Sequence, residues 1–188
     1  MPKAEYTVFY VIFILIAAAE RIYGTFFFRR RHFRTAPRVH RNLYQPILYL
    51  LLIGYCATIL LSIIEFSFYV KSVNIFFSEV GIVSFLSATF IRRSAISALG
   101  PDWSISFQLI PKQKIVKKGA YRLFSHPYHF SVALELFGFC LISNAVLTMV
   151  FLVVFQLPTL GIRIFLEDRI LFRKFGNAYH YLNRKALI

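Results

Sequence analysis

Apolar residues fall into five runs, separated by stretches that carry most of the charge. The first covers Tyr6 to about Phe28, clean as far as Ala19 and then crossed by Glu20 and Arg21. The second, Ile47 to Ile64, follows Pro46 and has no charged residue. The third, Val73 to Ile91, includes Glu79 and stops at Arg92-Arg93. Runs of this length predict membrane-crossing helices, because about 20 residues of helix span a hydrocarbon layer of roughly 30 Å. The fourth, Phe130 to Ile142, is short for that purpose, and Ser143-Asn144 predicts a tight turn into a fifth, Ala145 to Leu166. Pro158 in this last run removes a backbone donor and Gly161 follows it, which predicts a kink that opens a gap between helices. The expected fold is therefore all-α, a polytopic membrane protein of about five transmembrane helices. It forms one domain, with three spans in residues 1–91 and a connector, a helical hairpin and a basic tail helix in 92–188.

Composition supports the same class. At 58% hydrophobic residues, the 188-residue chain has too little polar surface to close a water-soluble globule. A net charge of +14 raises the question of nucleic acid, but the basic residues sit in clusters between apolar runs, so anionic lipid headgroups are the expected partner. With the N-terminus outside and five spans, 20 of the 22 Lys and Arg residues fall on the cytosolic side, leaving Lys3 and Lys71 outside. The C-terminus is then cytosolic, and the first run reads as a retained anchor. Cys56 and Cys140 lie within apolar runs, where neither a disulfide nor a zinc site is expected.

Candidate chemistry gathers in the connector, residues 94–128, and just beyond it. Gly119 permits a backbone geometry closed to other residues, and Pro127 predicts a helix start whose N–H groups suit a carboxylate. Arg163 and Glu167 are four apart and share a helix face, either as an ion pair that finishes the helix or as ligand-binding groups. Glu135 lies two turns into the hairpin helix, where a bare carboxylate is costly; Arg92 or Arg93 can partner it. The alternative is that Glu135 or His129 orients or deprotonates an acceptor hydroxyl. His126 and His129 are three apart, but His32, His40 and His180 are dispersed, so no metal is expected.

These residues also carry a resemblance. Gly119-x-Tyr121, His126-Pro127 and Gly138, then Glu167-Asp168-Arg-Ile-Leu171 and Phe175-Gly-Asn-Ala-Tyr179, resemble the isoprenylcysteine carboxyl methyltransferase family across residues 95–181. The chain has Ser125 where the family usually has Arg, His129 for a Tyr, and Asp168 for a second Glu. Glu135 within Ala-Leu-Glu-Leu is similar to bacterial members that O-methylate lipid phenols or pyrones. The resemblance implies a membrane O-methyltransferase that uses S-adenosyl-L-methionine on a lipid-tailed acceptor at the cytosolic face, most like a prenylcysteine carboxylate. It places Gln113, Lys114, Ile115, Val116, Tyr121, His126, Pro127, Tyr128 and His129 around the cofactor. Glu167 would accept the cofactor's amino group and Arg163 would face the substrate. Outside the resemblance, Tyr121 is equally an interfacial anchor, and Lys117 and Lys118 a lipid-facing pair. A non-catalytic lipid-binding or scaffold protein is the contrasting reading, and it would not require this polar set.

Overall fold

The computed structural model describes residues 2–31, 41–100 and 116–176, with the side chains of 25–31 and 41–44 left aside. Helix α1 is Lys3–Arg31, α2 Arg41–Phe68 and α3 Ile75–Leu99. A 3₁₀ turn, Gly119–Arg122, precedes α4, Pro127–Ile142. Then α5, Val146–Phe151, runs through a π-helical segment, Leu152–Gln156, into α6, Leu157–Phe175. Among the described residues four segments are long and apolar enough to cross a membrane: Lys3–Gly24, Gln45–Phe68, Ile75–Leu99 and Val146–Phe175, with α4 as a shorter fifth. Val83, Phe90 and Val154 are exposed, while Thr58, Ser62, Ser131 and Gln156 are buried. That inversion suits hydrocarbon as solvent, and the chain is an all-α integral membrane protein.

Helices α3 and α4 pack backbone to backbone. A Cβ on Gly81 would fall 2.8 Å from the Gly138 carbonyl, and one on Gly138 would fall 2.8 Å from the Gly81 carbonyl. Helix α1 instead leans on the bundle through rings. Phe13 meets Phe85 and Phe139 edge-on at 5.0 and 5.3 Å between centroids, and Tyr10 lies 4.2 Å from Phe66.

One end of the bundle is closed by caps. The Pro2–Ser72 bridge and the bond from Lys3 Nζ to the Ser67 carbonyl bring Lys3 and Lys71 together there. Asn144, at φ 52°, makes the predicted turn, and its side chain accepts from the Asn74 N–H at 2.8 Å and donates to Ser78 Oγ. Glu65 accepts from the Leu147 and Thr148 N–H groups and the Thr148 hydroxyl, satisfying the start of α5.

Three boundaries differ from the sequence expectation. Helix α3 does not stop at Arg92-Arg93 but continues to Leu99, because Arg92 is buried against two glutamates and has no need to leave the bundle. The last span breaks a turn before Pro158: the Leu157 N–H reaches back to the Leu152 carbonyl, so a wide π turn precedes the proline, which sits in the first turn of α6. The basic tail helix expected at the end of the chain is, up to Phe175, the continuation of α6, which Gly176 closes with a bond to the Phe172 carbonyl. Residues 177–188 lie outside the described residues.

Candidate functional site

The site is assembled at the start of α4. Gly119 has φ +59°, and a Cβ there would meet Ser94 Oγ at 2.8 Å. Glycine is thus needed both for the conformation and for the approach to α3. Ser94 Oγ accepts from the Ala120 N–H at 3.0 Å, which docks the 3₁₀ turn onto α3. The chain then reaches His126 as N-cap, with Pro127 buried in the first turn, as the sequence predicts. The His126 side chain makes no capping hydrogen bond to the first turn of α4, which holds the N–H groups of Tyr128 and His129.

His126 and His129 face α6. His126 Nε2 is 2.8 Å from Asp168 Oδ1, and His129 Nε2 is 3.6 Å from Glu167 Oε2. Burial works against the His126 imidazolium, but the hydrogen bond to Asp168 and the charges of Glu167 and Asp168 outweigh it, so His126 holds its proton above the ordinary histidine range. Burial, then the nearby Glu167 carboxylate, pushes the Tyr121 phenol up, which keeps it a hydrogen-bond donor. Arg163 is buried one turn before Glu167, among the charges around Glu167 and His129. Tyr128 is half-buried with its ring perpendicular to His129 at 5.8 Å. The structure therefore brings together Tyr121, His126, Pro127, Tyr128, His129, Arg163 and Glu167. Val116 is half-buried where the described chain resumes, and Gln113, Lys114 and Ile115 lie outside the described residues.

One candidate stands apart. Glu135, six residues along α4 from His129 and so about 9 Å deeper, is 1% exposed. Its Oε2 accepts from Arg92 at 2.6 Å and lies 3.3 Å from Arg21, while Arg92 also holds Glu20. Arg93 lies 3.3 Å from Glu20, and the Arg21 guanidinium stacks over Tyr55 at 4.7 Å. Arg92 is the partner expected from sequence; Glu20, Arg21 and Tyr55 are additions. Their signal was present, since adjacent charges in an apolar run need partners of opposite sign at the same depth.

Donor atoms of His126, His129 and Glu167 all lie within 4.8 Å of one another, a spacing that a divalent ion can also span. For S-adenosylmethionine the fit rests on different features: the N–H groups of a helix start for a carboxylate, a carboxylate for its amino group, and half-buried aromatic walls.

The model of the isoprenylcysteine carboxyl methyltransferase family matches residues 80–173, half of the chain, and that stretch contains both polar clusters' α3, α4 and α6 residues. YpbQ, an uncharacterized protein of Bacillus subtilis (strain 168), is 34% identical over 86 residues, covering 46% of this chain. The match spans about half of that relative, 51% of its length. The chain belongs to the isoprenylcysteine carboxyl methyltransferase family, a family of methyltransferases.

Proposed function

We propose that the protein is an S-adenosylmethionine-dependent O-methyltransferase of a lipid-tailed acceptor. The observation that carries this reading is the convergence of Tyr121, His126, His129, Arg163 and Glu167 at the start of α4, inside the segment that the family matches. The cofactor would supply an electrophilic methyl on a sulfonium. Glu167 would accept from its amino group, and the N–H groups of Tyr128 and His129 would hold its carboxylate. By the family resemblance, Val116 and the preceding Gln113, Lys114 and Ile115 would also contact the cofactor. Arg163 would hold the acceptor oxygen in line, and the half-buried rings would exclude water. A carboxylate acceptor is already ionised at neutral pH and needs no base, which favours a prenylcysteine-type acid.

A lipid phenol or pyrone is the alternative acceptor, for which Glu135 or His129 would act as base; the pairing of Glu135 with two arginines favours the acid. The orientation that goes with this function puts the N-terminus outside and the site in the cytosol. A divalent ion on His126, His129 and Glu167 is a second reading of the cluster, favoured by donor spacing alone.

The experiment is calorimetric titration of the purified protein with S-adenosylmethionine, with and without EDTA. Transfer of labelled methyl to a prenylcysteine analogue and to an alkylresorcinol follows. Binding unaffected by EDTA and transfer to the acid support the proposal. No binding leaves the lipid-binding or scaffold reading, and transfer only to the phenol, abolished by Glu135→Gln, reverses the choice of acceptor.

A further inference from the structure

Donors in the candidate site converge more tightly than contact with an organic cofactor requires. Among the described residues, His126, His129 and Glu167 are the one set of three His, Cys, Asp or Glu groups whose ligand atoms all lie within 4.8 Å of one another. His129 Nε2 and Glu167 Oε2 are 3.6 Å apart, and two ligands about 2 Å from a tetrahedral ion stand roughly 3.3 Å from each other, so a small movement closes the set. The histidines flank Pro127, which fixes the helix start and so sets them one turn apart, while Glu167 comes from α6. A second carboxylate, Asp168, stands 2.8 Å from His126 Nε2, so that among these groups Glu167 and Asp168 outweigh the single guanidinium of Arg163. His129 and Glu167 keep 12% and 22% of their side chains accessible, enough for an ion to reach them. Two imidazoles, one carboxylate and a fourth position for water make a donor set for zinc and its first-row neighbours; magnesium and calcium take oxygen ligands instead.

We propose that His126, His129 and Glu167 bind zinc, and that zinc and S-adenosylmethionine exclude each other. The exclusion rests on the methyltransferase reading above, in which Glu167 accepts from the cofactor's amino group. A carboxylate that ligates zinc has given up that position. The metal is thus an inhibitor of the site and takes no part in methyl transfer. His129 stands where the family usually has Tyr, so the second imidazole, and with it the zinc set, is a departure of this chain from the family pattern.

The test is calorimetric titration of the untagged, metal-free full chain with zinc chloride, and then with S-adenosylmethionine in saturating zinc or in EDTA, for the wild type, His129→Tyr and Glu167→Gln. The wild type is expected to bind zinc but not magnesium at the same concentration, and to give with cobalt the visible absorption of a four- or five-coordinate site. Saturating zinc should weaken S-adenosylmethionine affinity by about tenfold or more, and saturating cofactor should weaken zinc affinity by the same factor, as linkage requires. Each variant loses a ligand, so its zinc affinity should fall by at least the roughly tenfold that loss of an outer-shell partner costs. In His129→Tyr, zinc should no longer change cofactor affinity, a readout that general destabilisation does not move. Full zinc affinity in both variants puts the metal on other histidines of the chain and overturns the proposal. Binding of zinc and cofactor together, with neither weakening the other, overturns it as well. If His129→Tyr fails to fold, Glu167→Gln gives the zinc reading from the other helix. Failure of S-adenosylmethionine to bind the zinc-free wild type sinks the methyltransferase reading separately, and the zinc site is then decided by the zinc titrations and the cobalt spectrum alone.

Discussion

His126 and Asp168 meet at 2.8 Å, and this contact joins the N-cap of the short helix α4 to the second half of α6. Both residues lie beside the groups that would hold the cofactor. The pair is thus a closure of the site as well as a link between helices.

A pH dependence follows. A histidine whose native pKa is raised contributes stability that is fully present below its unfolded value, about 6.5, and is lost as pH rises through the native value. Thermal melts of the wild type are expected to fall across that window above pH 6.5. Asp168→Asn should flatten the slope; an unchanged slope in that variant would remove the pair as its source.

For Glu167→Ala, S-adenosylmethionine affinity is expected to weaken by about 1.5 to 3 kcal/mol, roughly ten- to hundredfold, the range for hydrogen bonds to charged groups. Calorimetry measures this directly. Unchanged affinity would take Glu167 out of the site.

Removing Glu135 leaves Arg92 and Arg21 facing each other without their shared anion. Breaking a buried pair in this way costs about 3 to 5 kcal/mol, so Glu135→Ala should strongly destabilise the detergent-solubilised protein. Wild-type stability in that variant would show the cluster to be dispensable.

Gly138→Ala places a methyl against the Gly81 carbonyl and should cost about 1 to 3 kcal/mol through overpacking. Gly161→Ala, where the added Cβ meets nothing within 4 Å, is expected to be neutral or to stabilise slightly. Comparing the two melts separates helix propensity from packing.

Topology is open to cysteine labelling. On the orientation drawn from the 20-to-2 division of Lys and Arg residues, a cysteine introduced near position 115 should react only from the cytosolic side. Reaction from the outer face would sink that orientation and the proposed access of the cofactor.

Much of this architecture was legible in the chain. Pro127 marked the start of α4, and Ser143-Asn144 marked the hairpin, because each imposes its own backbone geometry. Helix ends at charges were less legible. Arg92 reads as a terminus in sequence, but burial beside Glu20 and Glu135 reverses its meaning, and those partners lie 72 and 43 positions away. The π turn before Pro158 was hidden for a similar reason: the sequence shows a missing donor but not which turn widens to absorb it. At the site, the i,i+4 spacing placed Arg163 with Glu167. No local pattern paired His126 with Asp168 or set Arg21 on Tyr55.

The contact between Gly81 and Gly138 has a reach beyond its own two residues. With no side chain on either glycine, α4 is held against α3 at this point with almost no clearance, and α4 carries His129 toward one polar cluster and Glu135 into the other. Both clusters are therefore measured from a single datum. A displacement of α4 by one methyl's thickness would put both out of alignment together, so a lesion at Gly138 would pass for a defect in chemistry although no reacting group had changed.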